Sequence, residues 1–167
     1  HVATLFFNNL HIVVQKNSDA KEVPDLMRKR IAVGPKSFTW AVIIEDLFRV
    51  YGFDYAKVNK SGGVVNYVAG SQVDSMFKDG NIDAILNGVA GLPHPGFVDL
   101  NRAAGFNLLE VKGKHAAEII EIVPGLVKTV IPKGTYSSVN RDIETIAAAT
   151  VIMCNKDLPD EFVYKMT

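Results

Sequence analysis

Apolar residues follow two spacings along this chain, one typical of strands and one typical of helices. Apolar runs predict strands at residues 3–7, 10–15, 31–33, 55–58, 82–86, 108–111, 126–131 and 143–154. Apolar residues three and four positions apart predict helices at residues 37–51, 65–77, 95–104 and 115–122. Shorter helices are expected after Val23, where Pro24 suits a first turn, and after Asp157.

Strands that alternate with helices predict an α/β fold, in which helices flank both faces of a sheet. In sheets of this class, ligands bind at the loops that follow the carboxyl ends of strands. Residues 34–39 and 87–95 are loops of that kind. The pattern therefore predicts that a ligand site lies at these two segments.

The amino-acid composition argues against only a few classes of function. The 167 residues are 48% apolar and 22% charged, and the 18 basic residues balance the 18 acidic ones, so nothing indicates nucleic-acid binding. No apolar stretch approaches the roughly 20 residues that span a bilayer. The single cysteine, Cys154, has no internal disulfide partner, and its apolar neighbours predict a buried, inert thiol.

The turn before the long helix at 37–51 is the first candidate site. Its members are Gly34, Pro35, Lys36, Ser37, Phe38 and Thr39. Unpaired backbone N–H groups at the helix start, two hydroxyls and a lysine suit a carboxylate or phosphate. The alternative is that Ser37 simply caps the helix. Neither GxxxxGK[ST] nor GxGxxG occurs, so a known phosphate-loop pattern is excluded.

Other polar residues give weaker signals. The four histidines are scattered without metal-ligand spacing, and no GxSxG elbow occurs, so we expect no metal, no cofactor and no catalytic residue. His11 falls in a strand pattern and is expected to be packed. His94 follows a strand between two prolines and is either a cleft residue or a plain loop residue. Asp74 and Asp79 are interpreted as solvated.

Five segments of the chain resemble one known family. They are LHIVVQKNSDAKEVPDLMRKRIAVGP, LFRVYGFDYAKV, FKDGNIDAILNGVAGLPHP, VIPKGTYSS and CNKDLPDEFVYKMT. In this order they resemble the TAXI family, the extracytoplasmic solute receptors of tripartite (TRAP) transporters. The strand–turn–helix and DGNIDA segments are shared more widely among type II periplasmic binding proteins.

The resemblance implies two α/β lobes joined by two crossing strands, with the ligand bound between the lobes. Residues 1–15 would end the first lobe and form the outgoing strand, and residues 16–149 would form the second lobe. Residues 150–167 would form the returning strand and begin a first-lobe helix. Most of the first lobe would precede His1, so we expect a fragment, which would form a dimer or other oligomer through its uncovered surface.

The resemblance also implies a function. We expect a periplasmic or otherwise extracytoplasmic binding protein, not an enzyme, that captures a small organic acid or amino acid and delivers it to a membrane permease. The predicted ligand residues are those of the 34–39 turn, with Asn87, His94 and Tyr136. Phe38 and Trp40 stand where the family has Ser and Thr, so its polar clamp does not transfer there, and an apolar or aromatic ligand becomes an alternative. An enzyme or a ligand-sensing domain on the same scaffold is the alternative function.

Overall fold

Seven strands form one mixed sheet in this chain. The structure is a computed structural model that describes residues 2–68 and 70–165, so His1, Ala69, Met166 and Thr167 lie outside the described residues. The strands are β1 (Ala3–Gln15), β2 (Arg30–Ala32), β3 (Val64–Asn66), β4 (Ala84–Ala90), β5 (Phe106–Leu108), β6 (Leu126–Ile131) and β7 (Ile143–Ile152). Their order is β3-β2-β4-β1-β7-β6, and β5 also pairs with β1.

Helices connect most of these strands. They are α1 (Thr39–Val50), α2 (Tyr55–Lys60), α3 (Ser71–Lys78), α4 (Pro95–Ala104), α5 (Gly113–Ile122) and α6 (Asp160–Tyr164), with a 3-10 helix at Val23–Arg28. The predicted α/β fold class is thus confirmed. No helix of the described residues has the length and apolar character needed to cross a membrane.

Alternate side chains of the strands point to two separate cores. Ile12 and Val14 face a cluster with α1, α2 and α5, whereas Val13 between them faces a cluster with α3 and α4. This period of two is what a sheet covered on both faces requires. Because both clusters are almost fully buried, the sheet is a rigid platform for the loops at its edge.

Strands β2, β3 and β4 are mutually parallel, and the remaining strand pairs are antiparallel. An ion pair fixes the start of β2 against β4. The Arg30 side chain donates to both carboxylate oxygens of Asp83, at 3.1 and 2.6 Å, and the Arg30 backbone N–H donates to the same carboxylate at 2.8 Å. Burial would raise the pKa of Asp83, but these hydrogen bonds from Arg30 outweigh it and lower that pKa.

Several predicted elements differ from the structure, among them the strands predicted at 82–86 and 108–111, which are β4 and β5 with shifted bounds. Residues 55–58 begin helix α2 instead of forming a strand, because the Asp54 side chain accepts from the Lys57 N–H at 2.7 Å and caps it. The predicted helix at 65–77 is strand β3 followed by the shorter helix α3. The two runs at 3–7 and 10–15 are one continuous strand, β1. Cys154 is half-buried, so its predicted full burial is wrong.

Candidate ligand site

A cavity of about 220 Å³ lies at the carboxyl ends of the three parallel strands. The loops that follow β2, β3 and β4 meet there, because the ends of parallel strands share one edge of a sheet. The lining residues that these three loops and strand ends provide include Gly34, Phe38, Val68, Gly70, Asp74, Asn87, His94 and Phe97. Two predicted segments, 34–39 and 87–95, therefore contribute to the same cavity.

The turn after β2 contributes Gly34 and Phe38 to the cavity wall. Gly34 has a φ of +79°, which favours glycine, and the Phe38 N–H donates to the Pro35 carbonyl at 2.9 Å. Phe38 occupies the N-cap position of α1 and is 51% exposed, so the prediction that Ser37 caps this helix is wrong. Because a phenylalanine side chain accepts no hydrogen bond, the first-turn N–H groups lack a side-chain cap.

The rest of this turn lies beside the cavity and does not line it. Ser37 and Thr39 are exposed, and Pro35 is half-buried. The Lys36 ammonium lies 4.8 Å from the centre of the Tyr67 ring, a cation–π contact that links the loops after β2 and β3. These polar groups thus stand at the rim, where a closing partner or a larger ligand would meet them.

Asn87 lines the cavity from strand β4, and its neighbour Gly88 faces the opposite side of the sheet. A Cβ atom at Gly88 would lie 1.7 Å from the indole of Trp40, so the indole packs directly on the glycine backbone. Trp40 is accordingly a core residue of helix α1, as its helical spacing predicted. The tryptophan therefore closes the back of the sheet and does not contribute to the cavity.

His94 lines the cavity at the start of helix α4, after a cis Leu92–Pro93 bond. It is the N-cap residue, although its side chain does not cap the helix. Its Nδ1 atom is buried and makes no hydrogen bond within the described residues. The same ring lies close to Gly96, where a Cβ would stand 3.3 Å from His94 Cε1. His94 is therefore a cavity residue, which was one of its two predicted interpretations.

Tyr136 does not line the cavity but stands directly behind His94. It is 2% exposed, and its hydroxyl accepts from the His94 backbone N–H at 3.2 Å. The same hydroxyl lies 2.9 Å from Nε2 of His11, which is fully buried in strand β1. The predicted packing of His11 is thus confirmed, and burial, followed by the nearby His94 charge, lowers its pKa to about 4 despite the hydrogen bond to Asn9.

Among the described residues that line the cavity, Asp74 is the one charged side chain, and the sequence-based prediction of the site did not include it. It was interpreted as solvated because the 65–77 segment was predicted to be a single helix. Strand β3 ends at Asn66, and helix α3 begins at Ser71, which places Asp74 in the first turn beside the cavity. The glycine at position 70 is the sequence signal for a break in that helix. In the structure Gly70 has a φ of +63°, which a glycine adopts readily.

The described residues contain no group of three or more His, Cys, Asp or Glu side chains placed to hold a metal ion. The cavity itself combines apolar walls with one amide, one imidazole and one carboxylate. Such a lining, apolar with a few placed polar groups, is typical of sites for small organic molecules. The arrangement can thus hold a small solute through burial and directed hydrogen bonds.

The fold is that of periplasmic solute-binding proteins of type II. The periplasmic sulfonate-binding protein SsuA of a putative sulfonate ABC transporter from Methylobacillus flagellatus is 14% identical, with a TM-score of 0.51 over 97% of this chain and 37% of that chain. The aliphatic sulphonate binding protein SsuA from Escherichia coli is 16% identical, with a TM-score of 0.50 over 87% and 38%. An ABC transporter structure from Clostridium perfringens is 17% identical, with a TM-score of 0.52 over 100% and 50%.

The fold similarity does not identify a family, but a family model does. The model of the NMT1-like family matches residues 1–167, so the chain belongs to the NMT1-like family. The chain spans half or less of the length of the three solved structures above. At these identities the structures show the fold alone.

Proposed function

We propose that this chain is the ligand-binding lobe of an extracytoplasmic solute receptor that captures a small organic acid or amino acid. The observation that carries the proposal is the cavity at the carboxyl ends of β2, β3 and β4, where the predicted residues Gly34, Asn87 and His94 converge. A receptor of this kind closes by hinge motion around its ligand and then docks on a membrane permease. Delivery to a TRAP-type permease of the TAXI system stays a prediction based on the sequence motifs.

The lining of the cavity favours an amino acid over a simple acid. Asp74 in the cavity is an acceptor that would pair with an ammonium group. The uncapped N–H groups at the start of α1, beside the cavity, would receive a carboxylate. Phe38, Phe97 and the valines of the wall would bury an apolar side chain. A small apolar amino acid satisfies all three features, and an aromatic one is compatible with the same walls.

The division into lobes is part of the same proposal. Residues 3–7 of β1 and 149–152 of β7 form a two-stranded ribbon, whereas β4 begins to pair with β1 only at Asn8. The ribbon thus extends beyond the sheet, which supports crossing strands within the predicted segments 1–15 and 150–167, which flank a second lobe at 16–149. Residues 8–15 of β1, however, lie inside the sheet, between β4 and β7 and beside β5. In the whole protein a first lobe would cover the cavity from the opposite side.

Binding measurements on the intact protein test this function. We expect calorimetry to show that L-leucine binds at least tenfold more tightly than 4-methylpentanoate, which has the same carbon skeleton without the amine; such a ratio is about 1.4 kcal/mol. Asn87→Ala and Asp74→Asn should each weaken leucine binding about tenfold. The matched control Asn81→Ala changes an exposed asparagine remote from the cavity lining and should have no effect.

Native mass spectrometry broadens the same test to solutes that were not chosen in advance. We expect the intact protein to carry a small organic acid or amino acid that is released on denaturation. The proposal is contradicted if no such molecule is bound and no member of a panel of amino acids, carboxylates and sulfonates binds. A measured turnover of a bound compound would favour the enzyme alternative instead.

A further inference from the structure

Behind the cavity, a buried chain of hydrogen bonds connects strand β1 to the loop that carries His94. His11 Nδ1 lies 3.0 Å from the Asn9 carbonyl oxygen, and His11 Nε2 lies 2.9 Å from the Tyr136 hydroxyl. The Tyr136 hydroxyl in turn accepts from the His94 N–H at 3.2 Å. His11 also stands directly opposite Asn87 in the β1–β4 ladder. This series of hydrogen bonds therefore lies next to two residues that line the cavity, Asn87 and His94.

The two ends of this series of hydrogen bonds determine which atom donates in each of them. The Asn9 carbonyl can only accept, so His11 Nδ1 must carry the hydrogen and donate it. In a neutral imidazole the other nitrogen then accepts, so the Tyr136 hydroxyl donates to His11 Nε2. The lone pairs of the hydroxyl oxygen then accept from the His94 N–H. In this arrangement each of the three hydrogen bonds has one donor and one acceptor.

The His94 ring has the opposite tautomer. Its Nδ1 is enclosed at the start of α4, where a Cβ on Gly96 would lie 3.4 Å away. The groups that a helix N-terminus presents are backbone N–H donors and a partial positive charge, so a bare Nδ1 is favoured over a buried N–H that finds no acceptor. These surroundings of Nδ1 favour the hydrogen on Nε2, where it would be a donor for an acceptor group of the solute.

We propose that Tyr136 and His11 are positioning residues of the ligand site, which hold the His94 loop so that His94 presents its Nε2–H to the solute. This inference rests on the proposed solute-binding function. Tyr136 contacts the backbone of His94, and His11 fixes the direction of the Tyr136 hydroxyl. Neither residue lines the cavity, so each acts on the solute through lining residues, and the hydrogen bonds lead to His94.

Aromatic packing restricts the same assembly. Phe97, which lines the cavity, stacks on His11 with ring centres 5.0 Å apart and meets the His94 ring edge-on at 5.6 Å. It also meets Tyr136 edge-on at 6.3 Å. Because these rings are packed against one another, loss of the Tyr136 hydroxyl should alter hydrogen bonding while the rings stay in place.

Nuclear magnetic resonance of the ¹⁵N-labelled intact protein tests this inference without any ligand. In the wild type we expect His11 to carry its hydrogen on Nδ1 and His94 to carry its hydrogen on Nε2. Tyr136→Phe should speed hydrogen exchange of the His94 amide roughly fivefold and mix the His94 tautomers, because the amide loses its acceptor. Tyr55→Phe is the matched control, since it removes another buried hydroxyl, which donates to the Ala41 carbonyl at 2.6 Å in the other core.

The ligand arm uses L-leucine as the probe. Tyr136→Phe should weaken leucine binding at least fivefold, whereas Tyr55→Phe should not change it. A wild type in which His11 carries its hydrogen on Nε2 or His94 carries its hydrogen on Nδ1 would overturn the inference. Tyr136→Phe spectra and affinity equal to those of the wild type would overturn it as well. The wild-type tautomers decide the matter if Tyr136→Phe does not fold. If leucine fails to bind any variant, the amide and tautomer results still decide the positioning role, and only the choice of solute is contradicted.

Discussion

At the residue scale, His11 is the group whose chemistry differs most from that of the free side chain. It is fully buried, and its two nitrogens are already committed to a carbonyl and a hydroxyl. Protonation would put a second hydrogen between His11 and Tyr136, and the hydroxyl would then lose its acceptor in a buried site. Desolvation is the largest cause of the lowered pKa, and His94 adds to it.

The stability of the protein should depend on pH through His11. The unfolded chain protonates this residue near pH 6.5 and the folded chain only near pH 4, so the unfolded state binds more protons between those values. The free energy of unfolding should therefore fall as pH drops from 6.5 to 4, by roughly 3 kcal/mol, and His11 should have no effect above pH 6.5. Urea denaturation at several pH values measures this slope.

His11→Gln provides the control for this dependence. Glutamine does not titrate, so the variant should lose most of the slope between pH 4 and 6.5, whatever its stability at neutral pH. Glu110 and Asp83 have pKa values below their usual range, because ion pairs outweigh their burial, so their contributions are lost at lower pH. A wild-type slope that matches the His11→Gln slope would contradict the account.

The sequence predicted several individual residues of the site because their chemistry follows from local position. His94 follows a buried strand and Gly34 starts a turn before a helix, so the rule for strand ends predicted both. Asn87 was expected just after the strand predicted at 82–86 but lies within β4. The hydrogen bond between His11 and Tyr136 was beyond such reasoning, because these residues are 125 positions apart in sequence. Their contact depends on the pairing of β1 and on the turn after β6.

At the element scale, segments with a clear period and clear ends were predicted well, whereas short strands were not: 55–58 is a helix and β3 was missed. The run 126–131 matches β6, and the 95–104 helix matches α4, since each has a clear period and clear ends. The helix predicted at 65–77 is wrong because Val65 of β3, with Val68 after it, happens to fit helical spacing with the apolar residues of α3. That error concealed the third loop of the cavity and with it Asp74.

The ribbon formed by residues 3–7 and 149–152 carries several exposed apolar side chains. Leu5, Phe6 and Phe7 are 56%, 45% and 43% exposed, and Val151 is also exposed. Exposed apolar strands with open edges associate. We therefore expect residues 1–167 alone to form a dimer in solution, as measured by light scattering.

Paired substitutions locate that interface. Phe6→Lys with Phe7→Lys should give a monomer, because charge on the ribbon opposes association. Val127→Lys with Val130→Lys alters comparably exposed residues on the edge strand β6 and should leave the dimer intact. A monomeric wild-type fragment would show that the ribbon is not an association surface.

At the scale of the whole molecule, one sheet edge organises the proposed function. Three parallel strands bring their loops together, two cores hold those strands rigidly, and the pair Arg30–Asp83 fixes β2 against β4. The ribbon leaves the sheet at the same edge as the cavity, because Asn8 pairs with Ala90 at the carboxyl end of β4, and this suits closure by another lobe. Solute binding would then be coupled to movement about the ribbon.

Mapping the bound solute by amide chemical shifts tests this central claim most directly. The intact protein would be titrated with L-leucine and with any solute that native mass spectrometry identifies. We predict that the largest shifts cluster in the three segments that meet at the cavity, at residues 34–39, 67–68 with 70–74, and 87–97. Saturable binding whose shifts lie on the opposite face of the sheet, around α2 and α5, would contradict the account.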